Sequence, residues 1–255
     1  MTLDRLRLEV VEDANALARA GAEELARRAE DSVAASGRFT LALSGGSTPK
    51  RLYALLADSS APFRARVPWS ATHLFWGDER HVPPHDPQSN FRMVKEELLS
   101  RVPVPAENVH RIRAELSDAA EAAISYAREL EGFFALAPGG VPRFDLALLG
   151  MGPDGHTASL FPGSDALNVT DRLTAAPWIE KFRTHRITLT LPVFNNAAAA
   201  QFMVSGADKA ETLRAVLDPA TPPDRFPCQR IRPAHGDLLW LVDRAASSAL
   251  PPRNR

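Results

Sequence analysis

Short apolar stretches alternate along the chain with longer segments whose apolar positions recur at helical spacing. This alternation is expected of strand–helix units packed on a mostly parallel sheet. The sequence therefore predicts an α/β fold, a single Rossmann-like αβα sandwich, as one domain over residues 1–255. The predicted strands are Leu6–Val11, Phe39–Leu43, Thr72–Trp76, Phe144–Leu149, Arg186–Leu191, Gln201–Val204 and Leu238–Val242.

The longest predicted helix covers Ala14–Ala35 and carries signals at both ends. Asp13 is a plausible N-cap, and Gly37 lies just past the last turn, where glycine commonly ends a helix. A proline at the start of another segment suits the first helical turn, where its missing N–H costs no hydrogen bond. The further predicted helices are Pro49–Ala57, Ser89 to about Leu99, and Ser117–Leu136.

Two segments show weak or no periodicity. Pro219–Pro233 is predicted to be a surface loop or an irregular connection, and Leu250–Arg255 a flexible tail. The N-terminus lacks the continuous apolar core of a signal peptide, and no run of about 18 apolar residues occurs. We therefore expect a soluble, cytoplasmic protein.

Charge and cysteine content narrow the chemistry. Thirty basic and 31 acidic side chains give a formal net charge of -1, so no global field favours nucleic acid or an anionic membrane. Any anion must be held locally. Cys228 is the only cysteine, which excludes an intrachain disulfide and a multi-cysteine zinc site. His81 and His85 are four residues apart, but the two prolines between them exclude a helical metal pair.

A glycine-rich turn joins the strand ending at Leu43 to the next helix. It consists of Ser44, Gly45, Gly46, Ser47 and Thr48. Free N–H groups at a helix N-terminus, together with glycines that allow close approach, can cradle a phosphate. The turn is neither a Walker A sequence nor a dinucleotide fingerprint. A plain tight turn before a capped helix is an equal alternative at this point.

The strand Thr72–Trp76 leads into an acidic pair and an arginine. Asp78, Glu79 and Arg80 are predicted in a loop at the strand's carboxyl end, where ligands bind in open α/β sheets. Arg80 can pair with a carboxylate or phosphate oxygen through its planar guanidinium, and Asp78 can orient a hydroxyl group. A solvated surface ion pair is the alternative.

The strongest local signal is Gly150–His156, directly after a hydrophobic strand. Three glycines surround Asp154 and His156, which exposes backbone amides and directs an imidazole toward a cleft. Histidine exchanges protons near neutral pH, and general base catalysis typically contributes about 10²–10⁴-fold. We therefore favour a catalytic histidine over a structural one.

Two cations lie further along the chain. Arg186 is at the beginning of an alternating strand, and Lys209 is near the start of another helix. Either alone is more often a solvated side chain, but both could reach one phosphate near the glycine turn.

Together these segments resemble the 6-phosphogluconolactonase family, within the superfamily that also holds glucosamine-6-phosphate deaminases and ribose-5-phosphate isomerases. The resemblance spans roughly Phe39 to Ala245. It is carried by Ser44–Pro49, Trp76–Arg80, Ser89–Asn90, Gly150–Pro162, His185–Thr188, Gly206–Ala210 and Leu239–Asp243.

The resemblance implies hydrolysis of 6-phospho-D-glucono-1,5-lactone to 6-phosphogluconate in the oxidative pentose phosphate pathway, without a metal or organic cofactor. His156 would be the base that activates water, with Asp154 and Arg80 beside it in the catalytic centre. The 6-phosphate would be held by Ser44–Thr48, Arg186 and Lys209, and Asp78 would border the sugar ring with Arg80. The partner expected is a small phosphorylated sugar lactone, the chain being a monomer or a weak homo-oligomer.

Two other functions stay open. A glucosamine-6-phosphate deaminase is the nearest, but there the glycine–histidine motif continues to Asn-Glu-Pro, whereas Ser159–Pro162 contains no acid. Arg80 also stands where deaminases usually have tyrosine. A non-catalytic sugar-phosphate sensor is the second alternative, although no DNA-binding module is evident.

Overall fold

The computed structural model describes residues 6–222 and 225–251. At its centre lies a seven-stranded sheet in the order β1-β11-β10-β6-β2-β3-β5, and every pairing in it is parallel. This confirms the predicted mostly parallel α/β sheet. Its strands are β1 (Leu6–Val11), β2 (Phe39–Leu43), β3 (Thr72–Trp76), β5 (Val109–His110), β6 (Leu146–Leu149), β10 (Ala199–Val204) and β11 (Asp237–Asp243).

The helices flank this sheet. Asp13 caps the first, accepting hydrogen bonds from the N–H groups of Asn15 and Ala16, and Gly37 ends it with a φ of 78°. Both predicted end signals are confirmed. The helices are α1 (Ala14–Ser36), α2 (Ser47–Ala57), α3 (Phe63–Arg66), α4 (Asn90–Val94, continued by the π-helical turn Lys95–Leu99), α5 (Ala119–Phe134), α6 (Leu191–Asn196) and α7 (Ala210–Leu217).

The strand order reverses direction between β2 and β6. From β2 the chain proceeds to β3 and β5 on one side, and from β6 it proceeds to β10 and β11 on the other. Neighbouring loops diverge at such a point, which leaves a crevice at the carboxyl ends of the two strands. The glycine-rich turn follows β2, and the segment with His156 follows β6. The topology therefore brings these two distant segments together.

A second, antiparallel sheet corrects two predictions. Asp78–Arg80 is not a loop but strand β4, which pairs with β9 (Thr184–Leu189). The predicted strand Arg186–Leu191 is this β9; it begins and ends two residues earlier and lies outside the central sheet. Strand β9 also pairs with two short strands, β7 (Thr174–Ala175) and β8 (Trp178–Ile179).

The core lies on both faces of the central sheet. All residues of β2 and β10 are buried, as expected for parallel strands covered by helices on both sides. Helix α1 packs closely because its buried face is mainly alanine and glycine; a Cβ at Gly21 would lie only 2.7 Å from Met203 Cε. Within the described residues, no helix is long and apolar enough to cross a membrane.

Of the two segments with weak or no periodicity, the first is an irregular connection, as one of its two predicted alternatives, and the second differs from expectation. The irregular connection contains the 3₁₀ turn Pro227–Arg230 and buries Cys228 and Gln229, while residues 223–224 of this prediction lie outside the described residues. The predicted tail does not begin at Leu250, whose side chain is 1% exposed. Burial against the core holds this residue in place, and residues 252–255 lie outside the described part.

Candidate active site

A cavity of about 210 Å³ opens at the carboxyl ends of β2 and β6. Most of the predicted site residues line it: Ser44, Gly45, Gly46, Ser47, Thr48, Asp78, Arg80, His156 and Lys209. The two other predicted residues do not line it: Asp154 hydrogen-bonds to His156, and Arg186 lies beside Arg80. Five sequence segments thus converge on one cleft.

The glycine-rich turn presents the N-terminus of α2 to the cavity. Gly46 precedes the helix with a φ of 105°, a conformation that favours glycine, and no side chain caps the first turn. The first N–H groups of the helix therefore face the cavity without a side-chain partner, and the helix dipole adds partial positive charge there. This end of the cavity suits an anion.

Tyr53 fixes the strand end before this turn. Its hydroxyl accepts a hydrogen bond from the N–H of Ser44 at 3.0 Å and donates one to the Ser44 carbonyl at 2.8 Å. Burial raises the pKa of Tyr53 well above its usual value, so the phenol stays neutral and can donate. The glycine turn thus begins from a rigid anchor.

His156 is held from three sides. Its Nδ1 lies 2.5 Å from Asp154 Oδ1, and its ring stacks on Phe161 with the centroids 4.0 Å apart. On another side a Cβ at Gly152 would come within 2.0 Å of the ring, so only glycine leaves room. The backbone closes the same loop, because Gly152 N–H donates to the His156 carbonyl and Gly155 N–H to the Gly152 carbonyl.

Asp154 is kept ionised by its neighbours. Partial burial works against ionisation, but the hydrogen bond and charge of His156, and then Lys181, place the pKa of Asp154 below its usual 3.8. Lys181 Nζ lies 3.5 Å from Asp154 Oδ2. We assign the tautomer in which Nδ1 of His156 carries the proton and donates it in a hydrogen bond to the carboxylate. Nε2 is then the acceptor of the ring.

Strand β4 carries two buried carboxylates with different surroundings. Asp78, at the cavity, accepts hydrogen bonds from Ser159 Oγ at 2.7 Å and Asn90 Nδ2 at 3.3 Å. Glu79 lies 2% exposed and accepts from Ser89 Oγ and from the N–H groups at 80, 90 and 91. Burial raises the pKa of Glu79 despite these bonds. Glu79 therefore anchors the loop before α4, and Asp78 faces the ligand space.

Arg80, which is partly exposed, and Arg186, which is buried, form a pair of cations. They oppose each other across β4 and β9, and Arg186 is 7% exposed. Arg80 donates to the Gln88 carbonyl, but the Nε atoms of both arginines have no partner among the described residues. Burial and then the charge of Arg80 lower the pKa of Arg186. Two guanidinium groups at one place, neither in an ion pair with a carboxylate among the described residues, favour the binding of an anion.

Lys209 lines the cavity and directly precedes α7, as its position in the sequence predicts. It pairs with the neighbouring Asp208. Thr212, one turn further along α7, donates to the Pro153 carbonyl at 2.7 Å. The lysine and the loop of His156 are therefore joined through this helix.

Three polar residues of the site carried no individual role in the sequence analysis. Asn90 and Thr157 line the cavity, and the Thr157 hydroxyl is buried without a partner among the described residues. Ser159 fixes Asp78. The signal available was their place in two of the motifs, Ser89–Asn90 and Gly150–Pro162, but only the fold shows which side chains turn inward.

Comparison with known families gives one clear result. The profile of the family described as glucosamine-6-phosphate isomerases/6-phosphogluconolactonase matches residues 12–240. A Nostoc protein named 6-phosphogluconolactonase is 42% identical over 243 residues, which cover 95% of this chain and 98% of the relative. A protein of the same name from Haemophilus influenzae is 38% identical over 208 residues, covering 81% and 85%.

Solved structures give the same relation. The 6-phosphogluconolactonase of Trypanosoma brucei superimposes with a TM-score of 0.84 at 28% identity, covering 96% of this chain and 98% of that one. A monomeric glucosamine-6-phosphate deaminase superimposes with a TM-score of 0.79, but its 18% identity shows a shared fold alone.

Proposed function

Since this chain belongs to the family of glucosamine-6-phosphate isomerases and 6-phosphogluconolactonase, we propose that it hydrolyses 6-phospho-D-glucono-1,5-lactone to 6-phospho-D-gluconate, in the oxidative pentose phosphate pathway. The names of its relatives support this activity. The observation that carries the proposal is the Asp154–His156 pair at one wall of the cavity, with the uncapped N-terminus of α2 at another.

His156 is the general base in this proposal. With its Nδ1 proton held by Asp154, Nε2 accepts a proton from water as the water oxygen attacks the lactone carbonyl carbon. The tetrahedral oxyanion then collapses, and the bond between the carbonyl carbon and the ring oxygen breaks. The imidazolium returns its proton to that leaving oxygen, which becomes a hydroxyl group. The ionised Asp154 stabilises the imidazolium in between.

The phosphate of the substrate is assigned to the anion-binding end of the cavity. Residues 44–48 would hold it through the N–H groups that follow Ser44, together with Lys209, and Arg186 beside Arg80 would add its charge. Asp78 and Arg80 border the space left for the sugar ring. The developing oxyanion requires a donor already in place, and Arg80 or a backbone N–H of the glycine loops can supply it.

The site gives less support to a deaminase activity. The residues after His156 that line or back the cavity are Thr157, Ala158 and Ser159, and none is a carboxylic acid. Ser159 instead donates to Asp78. The lactonase is therefore the better assignment.

Incubation of the purified protein with freshly prepared 6-phosphogluconolactone, with acid release corrected for spontaneous hydrolysis, tests the activity. Glucosamine 6-phosphate with detection of ammonia tests the competitor, and ammonia release without lactone opening would reverse the assignment. His156→Ala should lose about 10²–10⁴-fold in kcat. His85→Ala, an exposed histidine outside the site, is the matched control. Full activity in His156→Ala would exclude the mechanism.

The phosphate assignment has its own test. Arg186→Ala and Lys209→Ala should mainly raise KM, since each removes a contact present in the ground state and the transition state alike. An unchanged KM in both variants would reject the assignment.

A further inference from the structure

Phe182 is a large apolar side chain that remains 46% exposed next to the active site. It lies in the 3₁₀ turn Glu180–Phe182 between β8 and β9, which ends at Arg183 with a φ of 49°. The turn is fixed by the pairing of β8 with β9 and by a hydrogen bond from Trp178 Nε1 to Glu180. The backbone position of Phe182 is therefore set by the sheet.

The ring of Phe182 covers Arg186. The guanidinium carbon lies 5.1 Å from the ring centroid, within the range of a cation–π contact. Phe161, which stacks on His156, meets the same ring edge-on with the centroids 5.9 Å apart. The ring also lies 5.6 Å from Lys181 Nζ, and Lys181 pairs with Asp154. Phe182 thus touches Arg186 directly and His156 only through other side chains.

The contact with Arg186 matters because that guanidinium has no hydrogen-bond acceptor among the described residues. An aromatic face holds a guanidinium in one orientation without taking up its N–H donors. It also keeps water away, which strengthens the attraction between the cation and an anion. A carboxylate at the same place would instead neutralise the arginine.

We propose that Phe182 is a positioning residue for substrate binding, which holds Arg186 directed toward the phosphate of the substrate and shields it from water. The inference rests on the proposed function, in which Arg186 binds that phosphate. It predicts an effect on affinity, whereas action through Phe161 and His156 would change kcat.

The test compares Phe182→Ala with Phe182→Tyr, which keeps the ring, and with Ile124→Ala, which removes a side chain 52% exposed on α5. In Phe182→Ala, the KM for 6-phosphogluconolactone should rise about 3- to 30-fold with kcat within about twofold. Phe182→Tyr and Ile124→Ala should resemble the parent protein. An unchanged KM, or a fall in kcat alone, would overturn the proposal.

A double-mutant cycle shows whether the effect passes through Arg186. In an Arg186→Ala background, Phe182→Ala should add less than about twofold to KM, and additive effects would overturn the proposal. The dissociation constant of inorganic phosphate can be measured by calorimetry on the parent, Phe182→Ala, Arg186→Ala and the double variant. It should rise in Phe182→Ala and change less than about twofold when Phe182→Ala is added to Arg186→Ala. Phosphate binding does not depend on turnover, so this measurement tests the role of Phe182 separately. A parent protein that is inactive on the lactone would reject the proposed function and not this inference.

Discussion

Replacing Gly152 by alanine should displace His156, the proposed general base, while leaving the fold intact. The added Cβ would lie 2.0 Å from His156 Cε1 and 2.1 Å from Nδ1, whereas ordinary contact begins near 3.4 Å. The ring must therefore move by about 1.4 Å, the difference between 3.4 and 2.0 Å. Such a shift breaks the hydrogen bond to Asp154, and misplacement by about 1 Å can cost on the order of 10²-fold in rate.

We expect kcat for 6-phosphogluconolactone to fall at least about 10²-fold in Gly152→Ala, with a loss of stability near the lower end of the roughly 1–3 kcal/mol typical of overpacking. The lower end applies because His156 is partly exposed and can rotate away. Gly150→Ala is the matched control, since its Cβ would meet only Ser44 Oγ at 3.9 Å. A kcat within threefold of the parent in Gly152→Ala, or an equal loss in Gly150→Ala, would refute the reasoning.

Three further predictions concern stability. Tyr53→Phe leaves the N–H and carbonyl of Ser44 without their shared partner, so the free energy of unfolding in urea should fall by about 1–3 kcal/mol; no change would show that water replaces the hydroxyl. Gln201→Met should raise the free energy of unfolding by about 1–3 kcal/mol, because the buried amide has no hydrogen-bond partner among the described residues. A lower free energy of unfolding would show that the amide does have a partner. Burial and then His110 lower the pKa of His73 below 6.5, so the fold holds this histidine neutral while the unfolded chain protonates it. Stability should therefore fall as the pH drops below about 6.5, and the melting temperature of a His73→Phe variant should fall less steeply over this range. Parallel curves of melting temperature against pH for the two proteins would contradict the assignment.

Most of the central sheet is predictable from the sequence because its inner strands β2, β6 and β10 are apolar runs buried on both faces. The two-residue edge strand β5 is not predicted, since it is too short to show a pattern. β1, β2 and β3 have the predicted ends, since each is an apolar or alternating run bounded by polar or turn residues. The second sheet is not predictable in this way. β4 has only three charged or polar residues and no hydrophobic pattern, and its partner β9 lies more than a hundred residues away. Its existence follows from backbone pairing between distant segments.

The candidate site shows the same division. The glycine turn and the loop of His156 are recognisable because glycines and the polar residues between them follow buried strands, where a parallel sheet opens. The pairing of Arg80 with Arg186 and the packing of Phe182 against Arg186 depend on β4 and β9, so they emerge only from the three-dimensional fold. Leu250 is a similar case, since an apolar residue near a chain end gives no sign of what buries it.

The order of strands in the central sheet also constrains how the protein is made. Among the described residues, β1 lies at one edge and pairs only with β11, as in the register of Leu6 with Leu238, so its partner is translated roughly 230 residues later. At about 5–20 residues per second, the first strand waits about 12–46 s on the ribosome before it can join the sheet. Its exposed edge is available to chaperones, or to misassembly, for that interval, and a slowly translated C-terminal half would lengthen it.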